Sequence, residues 1–211
     1  AAAVFSPRID RGLAEAAERM MAEGEARQRT QQREREQQDG ARLDALKTRL
    51  AELDADRAFD EALLAIREAG KAIETESLRE QASAMEPRYE RLAALKTFLV
   101  DRINEQPPRG AVPGLGEAID GADAKGVTLP EDGGMVPWAE LSTRTWLALF
   151  DAYLERSDAS DQEAAGLLLG CAVFCDLEGG PKSARAYSDQ AIERDPGIEA
   201  EVGRLLSSLA P

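Results

Sequence analysis

"GVTLPEDGGMVPWAEL", residues 126–141, interrupts a chain whose other long stretches read as helix. It carries β-branched residues, a Gly-Gly turn and a tryptophan, and it lacks the Ala/Glu/Arg texture of its flanks. Three short strands fit here, at residues 118–122, 126–129 and 135–138, with "ADAKG" and "PEDGG" as their turns. Strands of this length bury too little surface to stand alone. They must lean on helices, with Val127, Leu129, Val136 and Trp138 as anchors. The stretch therefore reads as a β meander that plugs the junction between two helical units. The competing reading makes Trp138 a platform for a partner or ligand.

The surrounding residues 107–141 form a Gly/Pro-rich segment. "PGLGEAIDG" lacks the preceding buried strand and the third spaced glycine that cradle a pyrophosphate. "DGADAKG" lacks the alternating ligands and closing Glu of a calcium loop. Turn chemistry accounts for both.

Residues 1–106 read as a helical bundle with coiled-coil-like patterning. Ser6 and Pro7 suit the N-cap and N1 positions of a first helix. Ile9, Leu13, Ala16, Ala17 and Met20 then share a face. "EARQRTQQREREQQDG", residues 25–40, has no apolar stripe and reads as a solvated helix laced by i,i+4 pairs. Gly40 punctuates it. Leu43, Leu46, Leu50 and Leu53 follow at heptad spacing. The register breaks at "LDADRAFDEAL", residues 53–63. Either a tight helical hairpin sits near Asp54 to Asp56, with Asp56 as a new N-cap, or the helix continues with a stutter. A further helix begins or kinks at Pro87, buries Leu92, Leu95, Leu99 and Ile103, and stops at Asn104 and Pro107-Pro108. The whole predicts three or four antiparallel helices.

Residues 142–211 return to helix. Ser142 or Thr143 caps a segment bearing Trp146, Leu147, Phe150 and Leu154. "SDQE", residues 160–163, is a capping box that opens the apolar run 164–177. Gly179, Gly180 and Pro181 end it and start another helix, to Arg194. Asp195-Pro196 restarts the chain into a last helix with Ile198, Val202, Leu205, Leu206 and Leu209. Cys171 and Cys175 share a helical face in apolar surroundings and read as small, reduced core residues.

"LLLGCAVFCDLEGGPKSARAYSDQAIERDP", residues 167–196, resembles a tetratricopeptide repeat. Ala172, Ala184, Ala191 and Pro196 match the family's small-residue and closing-proline positions, and "AIERDP" is the most repeat-like piece. Leu168 stands at the family's tryptophan position, Cys175 replaces its usual aromatic, and Tyr187 is one residue from the expected slot. The resemblance spans about one repeat, residues 165–198, with a weaker echo in Ala55, Phe59 and Ala62. It implies groove binding of a peptide or helix, with Leu169, Val173 and Asp176 facing the groove. The order of helices, short β segment and helical hairpin is also similar to regions of large multidomain bacterial proteins, including tails of membrane-anchored Ser/Thr kinases.

Composition sets the functional bounds. Apolar residues make up 43% and aromatics only 5%, so a core is buildable, chiefly from Ala and Leu. The net charge of −14 repels nucleic-acid phosphate and anionic membranes, and it suits a basic protein or peptide partner. Without histidine, Ser-His-Asp and Cys-His mechanisms are unavailable, and no metal-ligand set or cofactor motif stands out. Carboxylates are scattered, with no pair marked as acid and base. No run of about 20 apolar residues is present to span a bilayer. "AAAVFSP" opens the chain without Met, which fits a processed end or a domain of a longer protein. The expectation is a mainly α, soluble, non-catalytic protein-interaction or scaffold domain, cytoplasmic or extracytoplasmic. The alternative is a ligand sensor with a pocket near Trp138 and Trp146.

Overall fold

The computed structural model describes residues 6–130 and 133–206, and side chains from residue 16 onward. Among these the chain is mainly α, with a small antiparallel sheet. Helix α1 (Ser6–Ala55) is followed by α2 (Phe59–Ala72), α3 (Glu76–Ser83) and α4 (Glu86–Glu105). Strands β1 (Gly121–Ala122), β2 (Gly126–Thr128) and β3 (Met135–Pro137) come next. Then follow α5 (Thr143–Leu154), α6 (Asp161–Leu177), α7 (Pro181–Arg194) and α8 (Glu199–Leu205).

The break in heptad register is a hairpin. Arg57 adopts φ 53°, a left-handed conformation that reverses the chain between α1 and α2. Asp56 does not cap α2: the N-cap is Ala58, with no side-chain hydrogen bond. The left-handed turn places the reversal at Arg57, so the helix restarts beyond the reach of Asp56. Gly40 does not interrupt α1 either, because the helix runs through it. A single helical glycine costs only about 1 kcal/mol. Leu43, Leu46 and Leu50 are buried against the hairpin partner.

The meander has the order β1-β2-β3, with Ala122 opposite Val127 and Val127 opposite Val136. Gly126 is required by close packing, since a Cβ there would lie 2.3 Å from the Val136 carbonyl oxygen. The edge of β1 is covered by Asn104. Its Nδ2 donates to the Ala122 carbonyl and its Oδ1 accepts the Ala122 N–H, both at 2.9 Å. Asn104 thus stands within α4, one residue before its end, and acts as a surrogate strand. Val127 and Trp138 are fully buried, whereas Val136 and Leu129 are half-buried.

Helix α6 opens with the capping box formed by Ser160 and Glu163. It buries residues on nearly every side, Ala164 to Cys175. Residue 170 must be Gly: a Cβ there would sit 2.9 Å from the Arg91 carbonyl of α4. Gly179, at φ 71°, ends the helix, and Pro181 begins α7. Ala172, Ala184 and Ala191 are all fully buried, which lets α6 and α7 approach closely. Leu209 lies outside the described residues. Buried side chains from Leu43 to Leu206 form one continuous cluster, so bundle, meander and C-terminal hairpin share a core.

Candidate functional site

Trp138 occupies the centre of the junction. It follows β3 in a single 3-10 turn, Trp138–Glu140, and is 0% exposed. Its indole N–H donates to the Asp123 carbonyl at 2.7 Å, and its ring meets Trp146 at 4.7 Å between centroids. Trp146 in turn packs on Phe174 at 5.1 Å, and Phe59 meets both edge-on at 6.3 Å. The Arg57 guanidinium lies 5.5 Å from the Trp146 centroid and 5.2 Å from that of Phe174. It donates to the Trp138 and Leu141 carbonyls and pairs with Glu178 at 3.5 Å. Lys96 completes the joint, donating to the Arg57 carbonyl at 3.0 Å and the Ala124 carbonyl at 2.7 Å. Burial pulls the pKa of both cations down, while nearby carboxylates oppose it.

Trp138 thus stands in the core, as the plug reading expects, and is not exposed as the competing partner-platform reading requires. The volume between the tryptophans is filled by aromatic rings and Arg57. The groove positions implied by the repeat resemblance are corrected. Leu169 and Val173 are 0% exposed, because α4 lies across α6 on one side and α7 on the other. The Asp176 side chain is 3% exposed and pairs with Arg88 of α4 at 2.8 Å. An isolated hairpin would leave one of these faces open, and α4 closes it. Cys171 and Cys175 are buried and free, and burial raises both thiols, Cys175 to about 11.

Two solvent-facing features bear on binding. The first is a cleft of about 560 Å³ among α5, α6 and α7, lined by Asp151, Leu154, Glu155, Leu168, Gln190, Glu193 and Arg194. Leu154 and Leu168 bring apolar surface to it, and Asp151, Glu155 and Glu193 bring negative charge. Asp151 accepts from the Tyr187 hydroxyl at 3.0 Å, and burial pushes its carboxyl up.

The second is the first part of α1. Every residue from 16 to 38 is exposed, and then the helix is gripped abruptly at Asp39. The Asp39 side chain, only 2% exposed, accepts from the Glu74 and Thr75 backbone N–H groups at 3.0 and 2.8 Å and from the Thr75 hydroxyl at 2.8 Å. Arg42 adds a fourth hydrogen bond at 2.9 Å. These contacts hold the Asp39 carboxyl below its ordinary value, the Thr75 backbone N–H foremost. Residues 16–38 therefore form an exposed helical arm about 35 Å long. The solvated-helix reading of this stretch holds, with Glu25–Arg29 paired at 3.1 Å and Gln32 bonded to Glu36 at 3.0 Å. Met20 is 74% and Met21 63% exposed.

Arg57, Lys96, Asp39 and Asp54 escaped the sequence reading. Asp39 had a signal: it stands four residues before Leu43, in phase with the leucine stripe. Lys96 had another, as a charge between Leu95 and Leu99. Arg57 had only the register break. No family model, curated protein or solved structure matches the chain. Among the described residues, no group of three or more His, Cys, Asp or Glu side chains is placed to hold a metal, and no helix is long and apolar enough to cross a membrane.

Proposed function

We propose that this chain is a non-catalytic protein-interaction or scaffold domain that presents a helical arm from a packed body. The arm carries this reading: 23 consecutive residues, 16–38, are exposed on a continuous helix, two of them adjacent methionines. Methionine is polarizable and adaptable, which suits a surface awaiting a partner. A protein or peptide partner of basic character complements the net charge of −14. The acidic cleft at Asp151, Glu155 and Glu193 offers such a partner a second contact. The same charge disfavours nucleic acid, and nothing in this reading requires membrane insertion. The alternative, a ligand sensor beside the tryptophans, has less support because side chains fill that volume.

The test is affinity capture with the full chain, a variant lacking residues 6–38, and the pair Met20→Glu/Met21→Glu. The expected outcome is that the variants lose the partners that the full chain retains, with unchanged body stability. Equal capture by all three would sink the arm as a docking surface.

A further inference from the structure

We propose that Asp54 is an acid-strengthened latch that fastens the end of α1 to the body. The inference concerns the joint that carries the arm and stands whether or not the arm binds a partner. Asp54 is the penultimate residue of α1, where the free carbonyls of a helix end disfavour negative charge. The last turn of α1 contains no basic residue to offset this. A local rule is thus broken at the point where the long helix must be secured.

The groups around Asp54 come from several elements. From α4, the Tyr89 hydroxyl donates to Asp54 Oδ2 at 2.8 Å, and Arg88 contributes positive charge. From the end of α6, Glu178 contributes negative charge. Both guanidinium groups of the neighbourhood have other principal partners. Arg88 pairs with Asp176 of α6 at 2.8 Å and donates to the Leu205 carbonyl of α8 at 3.4 Å. Arg57, in the α1–α2 turn, pairs with Glu178 and binds the Trp138 and Leu141 carbonyls. Each of these guanidinium groups thus forms its ion pair with a carboxylate other than Asp54.

Asp54 Oδ1 is buried and has no hydrogen-bond partner. An ionised oxygen in that position gives up its hydration and gains no donor, whereas a neutral carboxyl gives up far less. Burial accordingly pushes the Asp54 carboxyl up; the Tyr89 hydrogen bond and the Arg88 charge oppose this, and Glu178 adds to it. The folded chain then holds this proton more tightly than the unfolded chain does. Its contribution to stability is full below the ordinary carboxylate pKa and is lost as pH rises through the raised one. Acid therefore tightens the α1–α2 turn against α4 and α6 and stiffens the root of the arm.

The experiment is urea denaturation of the full chain and of Asp54→Asn between pH 4 and 8. Asn mimics the protonated acid and can still accept from Tyr89. At pH 7.5 the variant is expected to be more stable, with its folded-to-unfolded ratio raised by about threefold or more, and the two proteins should converge near pH 4. A variant that is equal or weaker at pH 7.5, or one whose advantage persists at pH 4, overturns the latch. Carbon-13 NMR of the Asp54 carboxyl in the unmodified chain gives a reading independent of how the variant folds. A titration midpoint above the ordinary aspartate value supports the proposal, and one at or below it overturns the proposal.

Discussion

Helix α1 contains two regions that share a backbone conformation and little else. Residues 39–55 are held by burial: Leu43, Leu46 and Leu50 are each 5% exposed or less. Residues 16–38 bury nothing and depend on propensity and on exposed pairs such as Glu25–Arg29, each worth only about 0.3–0.5 kcal/mol. Tertiary packing normally supplies most helix stability. The arm shows how far a run of Arg, Glu, Gln and Ala extends a helix once a body has nucleated it. The boundary is marked by the clamp of Asp39 on the α2–α3 loop, beside an exposed pair between Arg35 and Glu74 of that loop at 3.9 Å.

The largest effect expected from breaking this contrast is at the junction. Trp138→Ala should cost about 3–5 kcal/mol in chemical denaturation, a large share of the roughly 5–15 kcal/mol typical of a domain. A loss below about 1 kcal/mol would mean that the indole is not the plug of the body. Within the docked half, Leu50→Ala should cost about 2–5 kcal/mol by the same measurement.

Acid should act on the two ends of the docked half in opposite directions. The Asp39 carboxyl is held low by its Thr75 and Glu74 hydrogen bonds, so its contribution is present above the ordinary carboxylate pKa and fades as pH falls through the lower one. Amide exchange, corrected for intrinsic rates, should therefore show residues 36–42 losing protection below about pH 4. Residues 50–55 gain it over the higher range in which Asp54 takes up its proton. Parallel losses at both ends would remove the distinction between clamp and latch.

Changes in the arm should be local. Gly24 has open space around its Cα, and Gly24→Ala should strengthen helix there by about 1 kcal/mol. Amide protection of residues 16–30 should rise while the melting temperature of the body stays fixed. The smallest effect on stability is expected at Met20. Met20→Ala should stay within about 0.5 kcal/mol, as for other exposed sites. A larger loss by denaturation would show that the arm packs on the body in solution.

Much of the architecture was legible in the primary structure. The leucine stripe 43–53, the capping box at Ser160 and the Gly-Gly-Pro stop at 179–181 are local signals, and the structure places helices and helix ends where those signals stand. The meander was readable for the same reason: turn residues and β-branched side chains act over a few positions. The exposed arm was also visible, as an absence of any apolar stripe in residues 25–40.

The covering of Leu169 and Val173 was not legible. Periodicity marks which residues leave water, but it does not say which element will cover them. Helix α4 closes the face of α6 that the repeat resemblance left open. The same limit hid the polar groups. Arg57 reaches Trp138, Lys96 reaches Ala124 and Asp39 reaches Thr75 across separations of 28 to 81 residues. Sequence alone determined that this chain would be helical, that it would insert a small sheet, and where helices such as α6 and α7 would start and stop, because those depend on neighbours in the chain. Only the tertiary structure decided which elements covered the core side chains, which carboxylate was left short of donors, and which half of one helix stayed exposed, because these depend on what else arrives at the same place.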